Sequence, residues 1–151
     1  FSALLSSSLI NAEFSQPYAN SSASVAAGNK LPGIPRSNVF SELLWSSRPM
    51  DSGAKSRTYV GRRAGLELTS AGKMCANDVN TASAEGFATL NARFSHGWAL
   101  GSANLTAYGR IDNLTDQRYV GSVIANQAAS QFYEPAPGRN WTLGLRLTVP
   151  L

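Results

Sequence analysis

Residues 141–151, WTLGLRLTVPL, show the most regular alternation of apolar and other residues in this chain. Every second residue from Trp141 to Leu151 is apolar, and the residues between them are Thr, Gly, Arg, Thr and Pro. Successive side chains of a β-strand point to opposite faces. The stretch is therefore predicted to form a strand with one wholly apolar face and one polar face. On the polar face we expect a small change such as Gly144→Ser to be tolerated.

Composition narrows the class of protein. Charged residues make up only 15% of the 151 residues, against about 25% in ordinary soluble domains. No stretch approaches the roughly 20 consecutive apolar residues that a membrane-spanning helix needs. The net charge of +4 is scattered along the chain, whereas a nucleic-acid-binding face needs clustered Lys and Arg. Composition therefore excludes helical membrane spans and argues against nucleic acid as a partner.

The sequence has no arrangement of residues suited to catalysis or metal binding. Cys75 is the one cysteine and His96 the one histidine, so neither has a partner at metal-ligand spacing. Phosphate-binding glycine loops, a nucleophile elbow and the zinc-protease motif are absent. We therefore expect no catalytic residue, no metal, no cofactor and no enzymatic activity. Cys75 is interpreted as an unpaired loop residue, and His96-Gly97-Trp98 as a turn.

Five further stretches show strand-like alternation. It is regular in residues 86–95 and 105–114, and less regular in residues 1–14, 38–46 and 58–68. In the last of these, Arg62 falls on the same face as the apolar residues. With residues 141–151 the total is about six strands, most of them near the ~9–11 residues that a tilted membrane-crossing strand needs.

The connections between the predicted strands alternate in length. The long ones are residues 15–37, 69–85 and 115–139, and the shorter ones are residues 47–57 and 96–104. Outer-membrane barrels have long extracellular loops and short periplasmic turns. The alternation favours an all-β fold, an antiparallel transmembrane β-barrel with long outer loops and short periplasmic turns.

Aromatic residues fall where the membrane interfaces of such a barrel would lie. Trp45, Phe94 and Trp98 are toward the short-turn ends of their strands, and Tyr119 and Trp141 are toward the long-loop ends. Amphipathic rings favour these girdles because the ring body is apolar while its N–H or O–H group prefers water.

Three short motifs follow one another along the chain. Residues 28–36, GNKLPGIPR, contain a Leu-Pro-Gly-x-Pro segment, and residues 113–119, NLTDQRY, contain Asn-Leu-x-Asp-x-x-Tyr. Residues 134–141, EPAPGRNW, contain Pro-Gly-Arg followed by an aromatic residue. In this order and spacing the motifs resemble those near the C-terminus of TonB-dependent outer-membrane receptors. The matching positions, which we interpret as structural, are Leu31, Pro32, Gly33, Pro35, Asn113, Leu114, Asp116, Tyr119, Pro137, Gly138, Arg139 and Trp141.

The resemblance implies a specific function. Members of the family are barrels of about 22 strands filled by a plug. They import ferric siderophores, cobalamin or similar scarce nutrients, and a TonB complex energises them. Residues 1–151 would be the C-terminal part of such a barrel domain, with the plug and the TonB box outside this chain. The implied partners are outer-membrane lipid, a ferric siderophore or similar nutrient, the TonB complex through the N-terminal region, and the barrel-assembly machinery. Family members usually end in an aromatic residue, and this chain ends in Leu151.

Four side chains on the predicted polar faces would line the lumen: Arg93, Tyr108, Arg110 and Arg146. They would contact a passing ligand, hold the plug, or pair with one another across strands.

Two other classes of protein are also consistent with the sequence. A passive outer-membrane channel or adhesin barrel shares the alternation and the loop asymmetry. A soluble all-β binding module, such as a sandwich, would bury the apolar faces against each other.

Overall fold

A computed structural model describes residues 1–19, 23–47 and 60–149. These residues form twelve strands and a short 3₁₀ helix, Ala128–Ser130. The strands are β1 (Ser2–Leu9), β2 (Tyr18–Ala19), β3 (Ser24–Val25), β4 (Ser37–Ser46), β5 (Gly61–Ala71), β6 (Met74–Cys75), β7 (Ser83–Ala84), β8 (Phe87–Leu100), β9 (Ala103–Asp112), β10 (Val120–Val123), β11 (Tyr133–Pro135) and β12 (Asn140–Thr148). The prediction of an all-β fold with antiparallel sheets is confirmed. The part of the chain described here has no helix with the length and apolarity to cross a membrane.

The long strands form one six-stranded antiparallel sheet in the order β1-β4-β5-β8-β9-β12. Each of the six predicted strands overlaps one strand of this sheet. The remaining strands form three separate pairs, β2 with β3, β6 with β7 and β10 with β11. Each pair lies within one of the long connections.

The register assigns the residues of the sheet to two faces, because residues directly opposite one another on neighbouring strands share a face. One face, called the apolar face below, carries the large apolar residues Leu5, Leu43, Trp45, Leu66, Leu68, Leu90, Phe94, Trp98, Leu105, Ile111, Trp141, Leu143, Leu145 and Leu147. The other, called the polar face, carries Ser6, Asn38, Glu42, Glu67, Thr89, Asn91, Arg93, Tyr108, Arg110, Thr142 and Arg146, together with the apolar Leu4, Phe40, Leu44 and Phe87.

Burial in the middle of this sheet is the reverse of that in a soluble protein. In β5, Leu66 and Leu68 on the apolar face are 47% and 38% exposed, whereas Glu67 between them on the polar face is only 8% exposed. Thr89 and Asn91, also on the polar face, are buried. Soluble antiparallel sheets usually pack their apolar face on a core and leave the polar face to water.

The register is also staggered from strand to strand. One row of paired residues crosses the sheet from Ala3 to Trp141, by way of Leu43, Leu66, Ala92 and Ile111. Ala3 lies six residues from the loop end of β1, and Trp141 lies one residue from the loop end of β12. The shift is five residues over five strand pairs. With the loop ends of the strands at one level, about 3.4 Å per residue and about 4.8 Å between strands convert this shift into a strand tilt of roughly 35°, which lies at the lower end of the range found in β-barrels.

The three long connections lie at one end of the sheet and pack on one another. Gly33 N–H donates to Cys75 O at 2.9 Å, and Asn126 N–H donates to Ala76 O at 3.0 Å. The buried apolar side chains of the described residues lie in these connections and are Val25, Met74, Ala76, Ala84 and Phe132. In the part of the chain that the structure describes, the small apolar core therefore lies among the loops and not on the sheet.

Several predicted boundaries are wrong. The first strand ends at Leu9 and not at residue 14, because residues 10–14 pair with the loop segment around Lys30. The predicted turn at His96-Gly97-Trp98 lies inside β8, where Gly97 pairs with both Gly61 and Thr106.

The turn between β8 and β9 consists of Gly101 and Ser102, with Gly101 at a φ of +64°. Such a positive φ favours glycine in two-residue hairpin turns. The expectations for residues 48–59, including the start of the strand predicted at 58, and for the terminal Leu151 lie outside the described residues.

Candidate functional site on the polar face

Five charged side chains form a connected set of ion pairs across four strands of the polar face. The set, called the ion-pair network below, consists of Glu42, Glu67, Arg93, Arg110 and Asp112. Arg93 binds Glu42, and its Nε lies 3.2 Å from Glu67 Oε1. Arg110 Nη2 lies 2.8 Å from Glu67 Oε2, and Arg110 Nε lies 2.7 Å from Asp112 Oδ1.

Glu67 is the centre of the ion-pair network. Its carboxylate binds both arginines, and Arg110 donates to both carboxylate oxygens, because Nη1 also lies 3.0 Å from Oε1. A buried carboxylate is tolerated only when charged or hydrogen-bonding partners replace the water that it loses. The two arginines supply these partners, and they hold neighbouring strands together at the middle of the sheet.

Two glycines make room for side chains of this face. A Cβ atom on Gly65 would lie 3.0 Å from Arg93 Nε and 3.1 Å from Arg93 Cγ. Arg93 therefore lies over the backbone of β5 at a position that has no side chain. At Gly144 the ring of Tyr108 occupies the space that a Cβ atom would need. Gly144→Ser would therefore require the far end of the exposed Tyr108 side chain to move.

The motif at residues 113–119 continues from the polar face into a long connection. Asn113 is 3% exposed and has a φ of +52°. Its backbone N–H donates to Asn91 Oδ1 at 2.9 Å. Its side chain accepts from Gln117 N–H at 2.9 Å and donates to Gln117 O at 2.8 Å. Asn113 thus closes a tight turn as the chain leaves β9.

The structure joins this motif to the one at residues 134–141. Asp116 Oδ1 accepts from Arg139 N–H at 2.8 Å, and Asn113 Nδ2 lies 3.4 Å from Pro137 O. A Cβ atom on Gly138 would lie 3.1 Å from Asp116 Oδ1. The side chains of Asn113 and Asp116 therefore fix the backbone at the point where the long connection leaves β9 and returns to β12.

The other motif residues occupy structural positions as well. Leu114 N–H donates to Leu90 O at 2.7 Å, and the ring of Tyr119 packs on Phe87 with 4.1 Å between ring centroids. Leu31 N–H donates to Ala12 O at 3.0 Å. Pro32 and Gly33 form a turn in which Gly33 has a φ of +75°. Trp141 lies on the apolar face and is 72% exposed.

Where the polar face meets the long connections there is a cavity of about 440 Å³. It is lined by Ser6, Ser8, Asn38, Phe40, Thr69 and Phe87 from the sheet, and by Gly33, Pro35, Met74 and Ser122 from the loops. The described residues that line it include no charged side chain. Its volume is in the range of small-molecule sites.

The four residues predicted to line a lumen all lie on the polar face. Arg93 and Arg110 come together through Glu67, whereas Tyr108 packs over Gly144. Arg146 is exposed, and none of the ion pairs among residues 1–19, 23–47 and 60–149 includes it.

Sequence reasoning missed the acidic members of the ion-pair network. Glu42 and Glu67 each precede a leucine in a strand, at the alternate positions that face away from the apolar residues. A carboxylate at such a position needs a basic partner on a neighbouring strand. The position of the two glutamates could therefore have predicted ion pairs with arginines of the adjacent strands.

No protein-family model matches the chain. Among the described residues, no group of three His, Cys, Asp or Glu side chains could hold a metal ion.

Proposed function

We propose that this chain is part of the wall of a transmembrane β-barrel in a bacterial outer membrane. The barrel would be that of a TonB-dependent receptor that imports ferric siderophores or a similar scarce nutrient. The observation that carries the proposal is the reversed burial in the middle of the six-stranded sheet, where the apolar face is exposed and the ion-pair network lies on the other face.

The two faces suit the two environments of a barrel wall. Transmembrane strands alternate between lipid-facing apolar residues and lumen-facing polar residues. The exposed Leu143 and Leu145 would then contact lipid chains, and the ion-pair network would face the lumen. The stagger of the register supports the same proposal, because strands must tilt to close a barrel.

The two ends of the sheet also differ as the two ends of such a barrel do. The three long connections pack together at one end, and at the other end β8 and β9 are joined by only Gly101 and Ser102. Long loops of outer-membrane barrels are extracellular. The cavity beneath the long connections would therefore lie at the outer end of the barrel, where a nutrient arrives.

The three motifs favour a receptor over a passive channel, because their order resembles that of the receptor family. Asn113, Asp116 and Gly138 make the contacts that a fixed strand-to-loop junction needs. The remaining parts of the proposal follow from the resemblance. Further strands would pair with β1 and β12, because six strands do not close a barrel with a usable lumen. A plug and a TonB-binding segment would lie elsewhere in the protein, and the barrel-assembly machinery would insert it.

The proposal is tested by nutrient uptake in cells that produce the protein. Cells supplied with ⁵⁵Fe bound to a catecholate or a hydroxamate siderophore should accumulate iron only when the protein is present, and a protonophore should abolish the uptake. Uptake that resists the protonophore would indicate a passive channel. A protein that fractionates with the soluble contents of the cell would contradict the membrane location itself.

A further inference from the structure

One charged side chain lies on the apolar face. In the six long strands, as far as the structure describes them, Arg62 is the only Asp, Glu, Lys or Arg on that face. Its side chain is exposed, and no ion pair among the described residues includes it. The two arginines of the sheet that form ion pairs in the structure, Arg93 and Arg110, belong to the ion-pair network on the opposite face. The position of Arg62 therefore needs a different explanation.

Arg62 has His96 and two tryptophans as neighbours. His96 is its direct partner across β5 and β8. Trp98 is two residues further along β8 and lies with its ring 4.2 Å from that of His96. Trp45 pairs with Ala64, which makes it the diagonal neighbour of Arg62 on β4. Residues at such diagonal positions are within reach of long side chains.

This group lies at the short-turn end of the sheet. Arg62 is the second residue of β5, and its backbone N–H donates to Ser47 Oγ at 2.9 Å just before the connection between β4 and β5. Tryptophans of membrane proteins concentrate at the level of the lipid headgroups. Trp45 and Trp98 therefore mark the height at which Arg62 would meet that layer.

We infer that Arg62, with His96 beside it, binds the phosphate of an anionic phospholipid headgroup in the leaflet at the short-turn end. The inference rests on the proposed function, in which the apolar face contacts lipid. A lone cation on a lipid-facing surface is costly unless it reaches the interface and finds an anion there. The guanidinium group presents paired N–H donors that match the oxygens of a phosphate, and an imidazole N–H supplies a further donor.

The test uses the whole barrel that contains residues 1–151, reconstituted into vesicles of phosphatidylglycerol and phosphatidylcholine in equal amounts. Every tryptophan except Trp98 is replaced by phenylalanine, which in residues 1–151 means Trp45→Phe and Trp141→Phe. Quenching is measured with bromine on the acyl chains of either lipid. We expect brominated phosphatidylglycerol to associate about fivefold more strongly beside Trp98, the effect of one cation near an anionic lipid.

Arg62→Gln should remove this preference, and Arg146→Gln should keep it. The control removes the same charge from the polar face. Equal quenching by both lipids with Arg62 present, or a preference that survives Arg62→Gln, would overturn the inference while lipid contact stands. An absence of quenching by either lipid would contradict the proposed function as well.

The same assay distinguishes a lipid headgroup from free phosphate. The preference should persist when inorganic phosphate is added, compared with chloride at equal ionic strength. Loss of the preference in phosphate alone would identify free phosphate as the ligand and overturn the assignment to lipid.

Discussion

Arg93 on β8 binds Glu42 on β4 across the intervening strand β5, and it does so over Gly65. On the way its Nε contacts Glu67, so one arginine connects three strands. A side chain at position 65 would occupy the path of Arg93. The cross-strand contact therefore depends on the absence of a side chain as much as on the two charges.

The first prediction concerns Gly65. Gly65→Ala should lower the free energy of unfolding by about 1–3 kcal/mol, because the new methyl group crowds Arg93. Urea unfolding in detergent micelles or vesicles measures the change. In an Arg93→Ala background the same substitution should cost little. If Gly65→Ala lowered the free energy of unfolding by the same amount in that background, the loss would come from strain of the β5 backbone and not from crowding of Arg93.

The second prediction concerns the centre of the ion-pair network. Glu67→Gln should destabilise the folded state by about 1–2 kcal/mol, because two half-exposed arginines lose their shared carboxylate while each keeps one other carboxylate. Glu85→Gln is the control, since the ion pair of Glu85 with Lys73 is exposed and such pairs contribute little. Equal effects of the two variants would show that the ion-pair network does not hold the sheet.

Alternation along the chain was sufficient to predict that the six strands exist and how most of their side chains divide between two faces, because side chains of a strand repeat every two residues. The contact of Arg93 with Glu42 could not be predicted in this way. It depends on the register of three strands and on the space above Gly65, and neither is a property of one segment. Arg62 was correctly placed on the apolar face, where its charge conflicts with the pattern.

The turn between β8 and β9 was predicted at the wrong glycine. Gly97 was interpreted as part of a turn, but it is a buried residue between Gly61 and Thr106 in the middle of paired strands. Gly101, with a φ of +64°, is the glycine that the turn requires. Sequence alone does not distinguish a glycine that allows close packing from one that allows a positive φ.

The third prediction compares the two faces of β12. Leu145→Arg places a charge on the apolar face and should cost about 2–4 kcal/mol in a lipid bilayer. Thr148→Arg places the same charge on the polar face and should be tolerated. The amount of heat-modifiable protein in outer-membrane fractions measures the difference. Normal assembly of Leu145→Arg together with failure of Thr148→Arg would reverse the assignment of the faces.

The fourth prediction concerns the two ends of the sheet. Cys75 lies in the long connection between β5 and β8 and is half-buried. On intact cells it should react with a membrane-impermeant thiol reagent. In the matched variant Cys75→Ser with Ser102→Cys, the thiol sits in the tight turn at the other end and is exposed. It should react only after the outer membrane is permeabilised, and labelling in the opposite order would invert the proposed orientation.

Contact between the apolar face and lipid is measured by quenching of tryptophan fluorescence with brominated lipid. The three tryptophans, Trp45, Trp98 and Trp141, all lie on that face. In vesicles each one should be quenched when it is the sole tryptophan of the protein. A tryptophan on the polar face, made by Tyr108→Trp with the other three replaced by Phe, should escape the lipid and respond to iodide. Quenching of the residue at 108 by lipid, with the three natural tryptophans unaffected, would contradict the account.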